Sequence, residues 1–497
     1  MAFPGPPALS VPPSPAPQHP GPAAGSPPEP KEGPNSWLED GPKDASELAP
    51  ARQRRLLLSY GLGDAGTGMA ASLIGFYLFI FYTAAAGLPA WMAGLVLMLA
   101  RLWDAVNDPL VGWLSDRTRS RWGPRLPWIV CSAAPLGMAM AAMWWLPPGN
   151  DWMKVVVFVL ISIVANSLYT CVNLPYAALA AELTTNTELR TRLNTSRFTG
   201  SIIASLVGIV LGGLLLRDHH DAASFLRVGM ISGALITLST LACGWGIAPV
   251  ALRCQQPSPS PGATRRLLRQ VGNNHRFVMV LGLYLLLWCA LQLMQTAALI
   301  FLPVVMRVPE DWSNWILLPF QISTLVGLQL WNLVSQRAGR LTALHWGSAL
   351  WISGCLLAMV LLPLDAGLGA PTAPANLWRL GALVATILVV GLGASTAYLI
   401  PWSLLPDAID ADSEKPAGLY SAWMVFAQKI CISVALFLFG NLMSLTGYAA
   451  SSGILQPASA LTAIRLCMGL IPAVLVVLAL LVMRRWPRQP SSALPAT

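Results

Sequence analysis

Charged residues are scarce in this chain: they make up 11% of its 497 residues, whereas hydrophobic residues make up 55%. Soluble domains usually carry about 25% charged residues, so the composition excludes an ordinary soluble protein and is typical of a membrane protein. From about residue 56 the chain consists of apolar runs long enough to cross a bilayer, which takes about 20 residues. We count twelve runs, centred near residues 70, 102, 137, 167, 205, 236, 290, 323, 353, 391, 432 and 471.

The sequence also lacks the motifs of enzymes and of disulfide-rich proteins. No nucleophile–base pair, phosphate-binding loop or metal motif is present, which argues against an enzyme and against a resident cofactor. Of the eight cysteines, only Cys254 lies clearly outside an apolar run, so neither a disulfide framework nor a zinc spacing is present. The first 50 residues are rich in Pro, Ala, Ser and Gly without an apolar core, which predicts a disordered tail rather than a signal peptide.

The net charge of +9 does not indicate a nucleic-acid partner, because the basic residues cluster in alternate loops. Loops rich in Lys and Arg remain cytoplasmic, so we expect both termini inside the cell and the protein in the cell membrane. The clusters contain Arg52, Arg54 and Arg55; Arg117, Arg119, Arg121 and Arg125; Arg190 and Arg192; Arg253, Arg265, Arg266 and Arg269; Arg337 and Arg340; and Arg484, Arg485 and Arg488.

A long polar interruption at 253–275 separates six apolar runs from six. Short sequence echoes support a repeat of roughly 220 residues: 114–117 resembles 334–337, and 175–179 resembles 401–405. Two six-helix halves are the arrangement of major facilitator transporters, so we predict an all-α membrane protein with that fold. A helical receptor or scaffold is the alternative. The predicted segments are a tail at 1–52, a first half at 53–252, a loop at 253–275, a second half at 276–485 and a tail at 486–497.

Two carboxylates lie within the second apolar run. Asp104 and Asp108 are i,i+4 neighbours on one helix face, and a carboxylate at membrane depth costs about 2.5–3.5 kcal/mol. Hard cations prefer oxygen ligands, and Asn107 and Thr170 would add an amide and a hydroxyl oxygen. These four residues predict a cation site. Alternatively, Asp108 caps the bend at the next residue, Pro109, while Asp104 pairs with Arg101.

Other polar groups fall at a similar depth when the rise of 1.5 Å per residue is applied. Lys429, in the opposite half, would bridge the halves until a cation replaces its ammonium; snorkelling to the membrane boundary is the alternative. Asp64, Asn173 and Arg197 are candidate solute contacts, although Arg197 could instead belong to the basic inner rim and Asp64 to helix contacts. Tyr176 and Trp402 complete the predicted solute site, and Trp402 could stack on a ligand.

The loop at 117–123 is too short to bind nucleic acid, and its arginines are expected to orient the chain and to latch an inner gate. Acids expected to take part include Glu182 and Asp412. The predicted cytoplasmic gate is Asp116, Arg117, Arg121, Asp407 and Asp410.

Several blocks resemble the glycoside–pentoside–hexuronide cation symporters of the major facilitator superfamily, whose best-known member carries melibiose. The blocks are 58–63, 100–112, 115–128, 173–176 and 406–410. The resemblance covers about residues 56–480, and the block at 100–112 is the most specific. The eukaryotic sodium-dependent lysolipid symporters are similar to this group and share much of that block.

The resemblance implies that Asp104, Asn107, Asp108 and Thr170 form a sodium or proton site. It also implies that Lys429 matches the family lysine of the eleventh span, and Arg197 the arginine of the sugar cavity. The melibiose carrier has acids at the positions of Gly68 and Asn173 and a tryptophan at Ala177, and all three recognise sugar there. Cation binding is therefore expected to be retained, whereas galactoside recognition is not. Asp64, one turn before Gly68, is expected to substitute in part for the missing acid.

We therefore predict a sodium- or proton-coupled symporter of a small organic solute, by the resemblance a sugar or glycoside. The alternatives are a sodium-dependent lysolipid transporter, which needs an apolar slot opening sideways between helices, and a non-transporting membrane sensor. The expected partners are the solute, a monovalent cation and the lipid bilayer, with the protein a monomer.

Overall fold

The computed structural model describes residues 44–184, 186–252, 274–365, 374–410, 417–450 and 455–486, and all of their regular structure is helical. The first half contains α1 (Pro50–Ile80), α2 (Ala90–Arg117), α3 (Leu126–Ala142), α4 (Asp151–Leu183), α5 (Thr187–Leu215) and α6 (Ala222–Ala251). The second half contains α7 (His275–Ile300), α8 (Glu310–Ala338), α9 (Arg340–Val360), α10 (Pro374–Ala394), α11 (Thr396–Ile409), α12 (Ala417–Leu445), α13 (Ala458–Met468) and α14 (Leu470–Met483).

The predicted N-terminal tail overlaps the described structure at residues 44–52. Ala45–Glu47 form a 3₁₀ turn capped by Asp44, and α1 begins at Pro50. The Asp44 carboxylate also accepts a hydrogen bond from the Thr184 hydroxyl at 2.6 Å, which ties this stretch to the end of α4. Described helical structure thus begins inside the predicted tail at 1–52, whose boundary stays a prediction, and residues 1–43 lie outside the described part.

The other predicted segment boundaries fall close to helix ends. Asn274 caps α7 by accepting a hydrogen bond from the Phe277 amide, so the last two residues of the predicted central loop already belong to the second half. Residues 253–273, and residues 487–497 of the predicted C-terminal tail, lie outside the described part.

Ten helical segments among the described residues are long and apolar enough to cross a membrane. α2 has 28 residues but is not one of the ten, and its apolar sequence is interrupted by Arg101, Asp104, Asn107 and Asp108. α3, with 17 residues, is a shorter apolar helix. Each of the twelve predicted centres lies within a helix, whereas twelve membrane crossings stay a prediction.

Successive membrane segments joined by short connections run antiparallel, with α10 and α11 forming one segment and α13 and α14 another. We call the end of the bundle where α1 begins the near end, and the end where α1 finishes the far end. With this alternation, the described basic clusters at 52–55, 117–125, 190–192, 337–340 and 484–485 all lie at the near end.

The two halves repeat a distinctive turn at the far end. α1 finishes in a π-helical turn, Phe81–Ala85, and α7 in another, Phe301–Val305, 220 residues later. Each turn is followed by a residue with positive φ, Gly87 or Arg307, and then by a proline, Pro89 or Pro309, at the N-cap of the next helix. The same backbone path at the same spacing matches the repeat expected from the sequence.

The halves meet along α2 with α12 and along α5 with α8. Glycines bring α2 and α12 close together at the far end: a Cβ built on Gly440 would lie 2.5 Å from the Ala90 carbonyl oxygen and 3.0 Å from the Gly94 Cα. Nearby, the rings of Phe79 and Phe439 meet edge to face at 5.0 Å. The far end is therefore closed between the halves.

Candidate functional site

The two aspartates of α2 face a lysine from the opposite half. The Lys429 ammonium lies 2.5 Å from Asp108 Oδ2 and 3.0 Å from Asp104 Oδ2. The Asp104 side chain is 5% exposed and that of Lys429 is 17% exposed. Because the ammonium is bound between the halves, Lys429 does not snorkel to the membrane boundary. One ammonium is shared by two carboxylates, and the second nearby cation, Arg101, lies farther away at 3.9 Å from Asp104 Oδ2 and is partly exposed.

Oxygen-bearing side chains complete this cluster. The Thr170 hydroxyl, on α4, lies 3.1 Å from Asp108 Oδ1 and 3.4 Å from Asp104 Oδ1. Asn107 is buried, and its amide nitrogen has no hydrogen-bond partner among the described residues. Hard cations take oxygen donors, so the two carboxylates and the Thr170 hydroxyl fit a small cation that would compete with the ammonium, while the role of Asn107 as a ligand stays a prediction.

The alternative that Asp104 pairs with Arg101 and Asp108 caps the bend at Pro109 accounts for only part of these contacts. Arg101 lies 3.9 Å from Asp104 Oδ2, farther away than Lys429. Asp108 does precede a proline within α2, but its carboxylate binds side chains of α4 and α12. The two aspartates are therefore joined in one cluster with Lys429 and Thr170.

A second polar cluster lies between α1, α4 and α5. Arg197 Nε donates to Asp64 Oδ2 at 3.2 Å, and its terminal nitrogen donates to Asn173 Oδ1 at 3.2 Å. The Arg197 side chain is 18% exposed and that of Asp64 is 9% exposed. Thr67 also donates to the Asp64 carboxylate. Arg197 is thus directed between helices instead of along the basic rim, and Asp64 is its ion-pair partner.

The two clusters share one helix. Thr170 of the first cluster and Asn173 of the second lie three residues apart on α4, on adjacent turns of the same face. A rotation or shift of this segment of α4 would therefore act on both clusters.

Two further predicted solute residues contact aromatic rings. Tyr176 is 1% exposed, stacks on Tyr60 with ring centroids 4.6 Å apart, and donates its hydroxyl to the Tyr60 carbonyl oxygen. In this conformation it stabilises the contact between α1 and α4, and its role in solute binding stays a prediction. Trp402 is 38% exposed and meets Tyr284 edge to face at 5.7 Å.

At the near end, three of the predicted gate residues have a partner within their own half. Asp407 accepts from Arg340 at 2.7 Å, and its expected pairing with the loop at 117–123 stays a prediction. Arg117 stacks over Trp113 at 3.9 Å, and Arg121 over Trp122 at 5.8 Å.

Arg125, another near-end arginine, makes two buried contacts within the first half: it binds Glu182 at 2.8 Å and the Ser115 hydroxyl at 2.8 Å. In the second half, the predicted gate residue Asp410 caps the end of α11. The Asp116 side chain and Asp412 lie outside the described part, and a gate between the halves at this end stays a prediction.

An apolar cavity of about 700 Å³ lies along α1, α5 and α6 towards the near end. Its walls include exposed aliphatic side chains such as Leu58, Ile203 and Val207. Among the described residues that line it, the one charged side chain is that of Arg192. A cavity of this kind would accept a hydrocarbon chain but offers little to a sugar.

Comparison with known sequences places this geometry among transporters. Residues 59–488 match the family described as MFS/sugar transport protein. An uncharacterized symporter of Synechocystis sp. is 32% identical, with 84% of this chain and 91% of the relative covered. The sodium-dependent lysophosphatidylcholine symporter 1-B of Danio rerio is 24% identical over 86% of each chain. YagG of Escherichia coli, which carries the name of a glycoside/cation symporter, is 26% identical over 84% of this chain and 88% of its own.

Solved structures give the same fold. The nucleoside transporter NupG superposes with a TM-score of 0.60 at 14% identity, covering 88% of this chain and 100% of that structure. At this identity the likeness concerns the fold alone.

Proposed function

The chain belongs to the MFS/sugar transport protein family, and from this premise we propose that it couples the movement of a cation to uptake of an organic solute by alternating access. Its relatives are membrane transporters, so the expectations of a multi-pass membrane protein and of a protein that is not an enzyme are confirmed. The observation that carries the coupling proposal is the contact of Lys429 with both Asp104 and Asp108 across the boundary of the halves.

The proposed cation step is an exchange. A sodium ion or proton that binds Asp104 and Asp108 takes the place of the Lys429 ammonium, with Thr170 and Asn107 as additional oxygen donors. Because Lys429 belongs to the second half and the aspartates to the first, this exchange removes an ion pair that holds the halves together. The halves are then free to rock about the site, as transporters of this architecture do.

The proposed solute step uses Asp64, Asn173 and Arg197. A polar solute would exchange hydrogen bonds with the arginine and its two acceptors, and the α4 segment from Thr170 to Asn173 would transmit the change to the cation cluster. Linkage requires that cation and solute increase each other's affinity by the same factor. Solute affinity should therefore depend on sodium concentration or on pH.

A sugar or glycoside is the first candidate solute, supported by the hydrogen-bonding Arg197 cluster and by the likeness to YagG. The second candidate is a lysolipid. The apolar cavity along α1, α5 and α6 supports it, and so does the likeness to the lysophosphatidylcholine symporter.

We further propose twelve membrane crossings, with α2 and α3 added to the ten apolar segments. The near end would face the cytoplasm, because the described basic clusters gather there. The protein would work as a monomer in the cell membrane.

The test replaces Asp104 by Asn and measures accumulation in proteoliposomes. Pentosides, glucuronides, galactosides and lysophosphatidylcholine are each offered with an inward sodium gradient, an inward proton gradient, or neither. We expect one solute to accumulate with one gradient in the parent protein, and accumulation to be lost in Asp104→Asn while the protein remains monodisperse. Asp151→Asn, the same change at an exposed acid of the far end, is the control. Uphill accumulation by Asp104→Asn would refute the proposed cation site.

A further inference from the structure

The connection between α5 and α6 crosses to the opposite half at the far end. The backbone N–H of His219 donates to Glu310 Oε2 at 2.7 Å, and the side-chain amide of Asn314 donates to the Leu216 carbonyl oxygen at 2.6 Å. The His219 imidazole lies 3.5 Å from the Glu310 carboxylate and 3.4 Å from Asn314 Oδ1. We call these four residues the far-end latch.

The latch is positioned by the start of α8. Glu310 is the first residue of that helix, where the helix dipole favours a carboxylate, and Asn314 lies one turn later on the same face. His219 is 1% exposed and Asn314 is 0% exposed. One turn before Leu216, α5 lies directly against α8: a Cβ on Gly213 would come within 3.0 Å of the Trp315 ring.

Two features suit the latch to repeated opening. Both of its short hydrogen bonds join a side chain of the second half to a main-chain atom of the first, so both must break when the halves separate at this end. Water can replace each lost bond, so the net stabilisation from each is small. A purely apolar contact would instead expose hydrocarbon on opening.

We propose that the far-end latch is the gate that closes the far side of the transporter, with Glu310 and Asn314 as positioning residues that set how often this side opens. The inference rests on the proposed alternating-access function. It assigns a role to residues outside both polar clusters, at the end of the molecule opposite the basic loops.

The surroundings of the latch are ionisable. His219 faces Glu310 from α8, and Asp218 and His220 from its own connection. A cavity of about 310 Å³ adjoins the latch and is also lined by Arg307 and Asp365. Burial lowers the pKa of His219, so the closed latch holds a neutral imidazole.

The test measures opening directly and needs no solute. Thr83 lies in the π-helical turn at the far end of α1 and is 3% exposed, so Thr83→Cys provides a probe that is buried while the far end is closed. The labelling rate with a membrane-impermeant maleimide is measured in Thr83→Cys, with the unsubstituted protein as the background for native thiols. Asn314→Ala and Glu310→Gln are then added separately, and Asp311→Asn serves as the control at an exposed neighbour.

We expect Asn314→Ala to raise the labelling rate about fivefold, the effect of losing one net hydrogen bond from the closed state. Glu310→Gln should raise it less, because glutamine can still accept from the His219 N–H, and Asp311→Asn should leave it unchanged. Equal labelling rates in Thr83→Cys alone and in the three proteins with an added substitution would contradict the proposal that the latch is the gate. If Asn314→Ala does not yield monodisperse protein, the labelling rate of Glu310→Gln relative to Thr83→Cys alone decides whether the latch controls opening. Faster labelling in a protein that transports no solute under any gradient would uphold the gate while contradicting the proposed symport.

Discussion

Replacing Lys429 by Gln tests whether the lysine and the coupling cation compete for the same carboxylates. The ammonium lies 2.5 Å and 3.0 Å from the two aspartate oxygens, so a cation must displace it in order to bind. Glutamine keeps a similar length but carries no charge. Without the ammonium, Asp104 and Asp108 lie one helical turn apart with only the more distant Arg101 to balance them, so binding of a cation or a proton becomes more favourable.

The size of the effect follows from these contacts. Hydrogen bonds to charged groups contribute about 1.5–3 kcal/mol net, and each 1.4 kcal/mol changes an affinity tenfold. Removing the competing ammonium should therefore tighten cation binding about 10- to 100-fold. In the absence of the cation the variant should be less stable, because breaking a buried ion pair costs about 3–5 kcal/mol.

The assay is thermal unfolding of the purified protein over a range of sodium concentrations, repeated over a range of pH. A ligand that binds only the folded protein raises Tm with concentration. Lys429→Gln should start from a lower Tm than the parent and rise at lower cation concentration. Lys429→Arg keeps the positive charge and should retain the competition. Arg227→Gln, at a half-exposed far-end arginine, controls for loss of any positive charge.

A Lys429→Gln protein whose apparent cation affinity is equal to or weaker than that of the parent would refute the competition. It would mean that the lysine supports the cation site instead of occupying it. The exchange step would then have to be abandoned, even if Asp104 and Asp108 bind the cation.

Three further predictions concern other parts of the molecule. Asp64→Asn leaves Arg197 without its carboxylate partner and should weaken solute binding at least about tenfold, with little change in cation affinity, measured by direct titration. Because burial lowers the pKa of His219 in the closed latch, opening returns it towards about 6.5. The closed far end should therefore lose stability as the pH falls below about 6.5, seen as faster far-end labelling that is absent in His219→Gln. Cys289 and Cys431 have sulfurs 2.8 Å apart, and hydrogen peroxide should join them in a disulfide, releasing water and detected by peptide mass spectrometry.

Each of these predictions has a result that contradicts it. Unchanged solute affinity in Asp64→Asn would separate that residue from recognition. Identical pH dependence of labelling in the parent and in His219→Gln, compared at each pH to remove the effect of pH on the maleimide, would exclude the imidazole as the titrating group. The exposed thiol of Cys131 is the control for the cysteine prediction, because it shows whether peroxide has reacted with the protein. Oxidation of Cys131 without a disulfide between Cys289 and Cys431 would contradict the prediction.

The cation cluster was accessible to sequence reasoning because its signals are local. Charges within apolar runs are rare, the i,i+4 spacing of Asp104 and Asp108 fixes their common face, and distance along a helix gives depth. The same arithmetic placed Lys429 at a similar depth, although it is 321 residues from Asp108. The structure adds what depth alone does not give, namely that the side chains point at one another.

The contacts that could not be predicted from the sequence join distant segments. Tyr176 became a helix contact because Tyr60, 116 residues away, covers its ring. Asp407 binds Arg340 because α9 and α11 are neighbours in the second half. The latch gave no signal, since a histidine in a polar connection and an acid at a helix start are both ordinary in sequence.

The Arg197 cluster and the apolar cavity make different demands on a solute, and this difference can be measured. A sugar would use only the hydrogen bonds of Arg197, Asp64 and Asn173, whereas an amphiphile would also place its chain along α1 and α5. Each methylene that the cavity buries is worth about 0.8 kcal/mol, or roughly fourfold in affinity. In a series of alkyl glycosides of increasing length, affinity should therefore rise by about this factor per carbon if the cavity belongs to the solute site. Ile203→Asn, on the cavity wall, should flatten the slope and thereby separate protein binding from partition into lipid. If affinity in the parent protein does not change with chain length, the solute is a sugar without an alkyl chain, and the cavity is a contact surface for bilayer lipid.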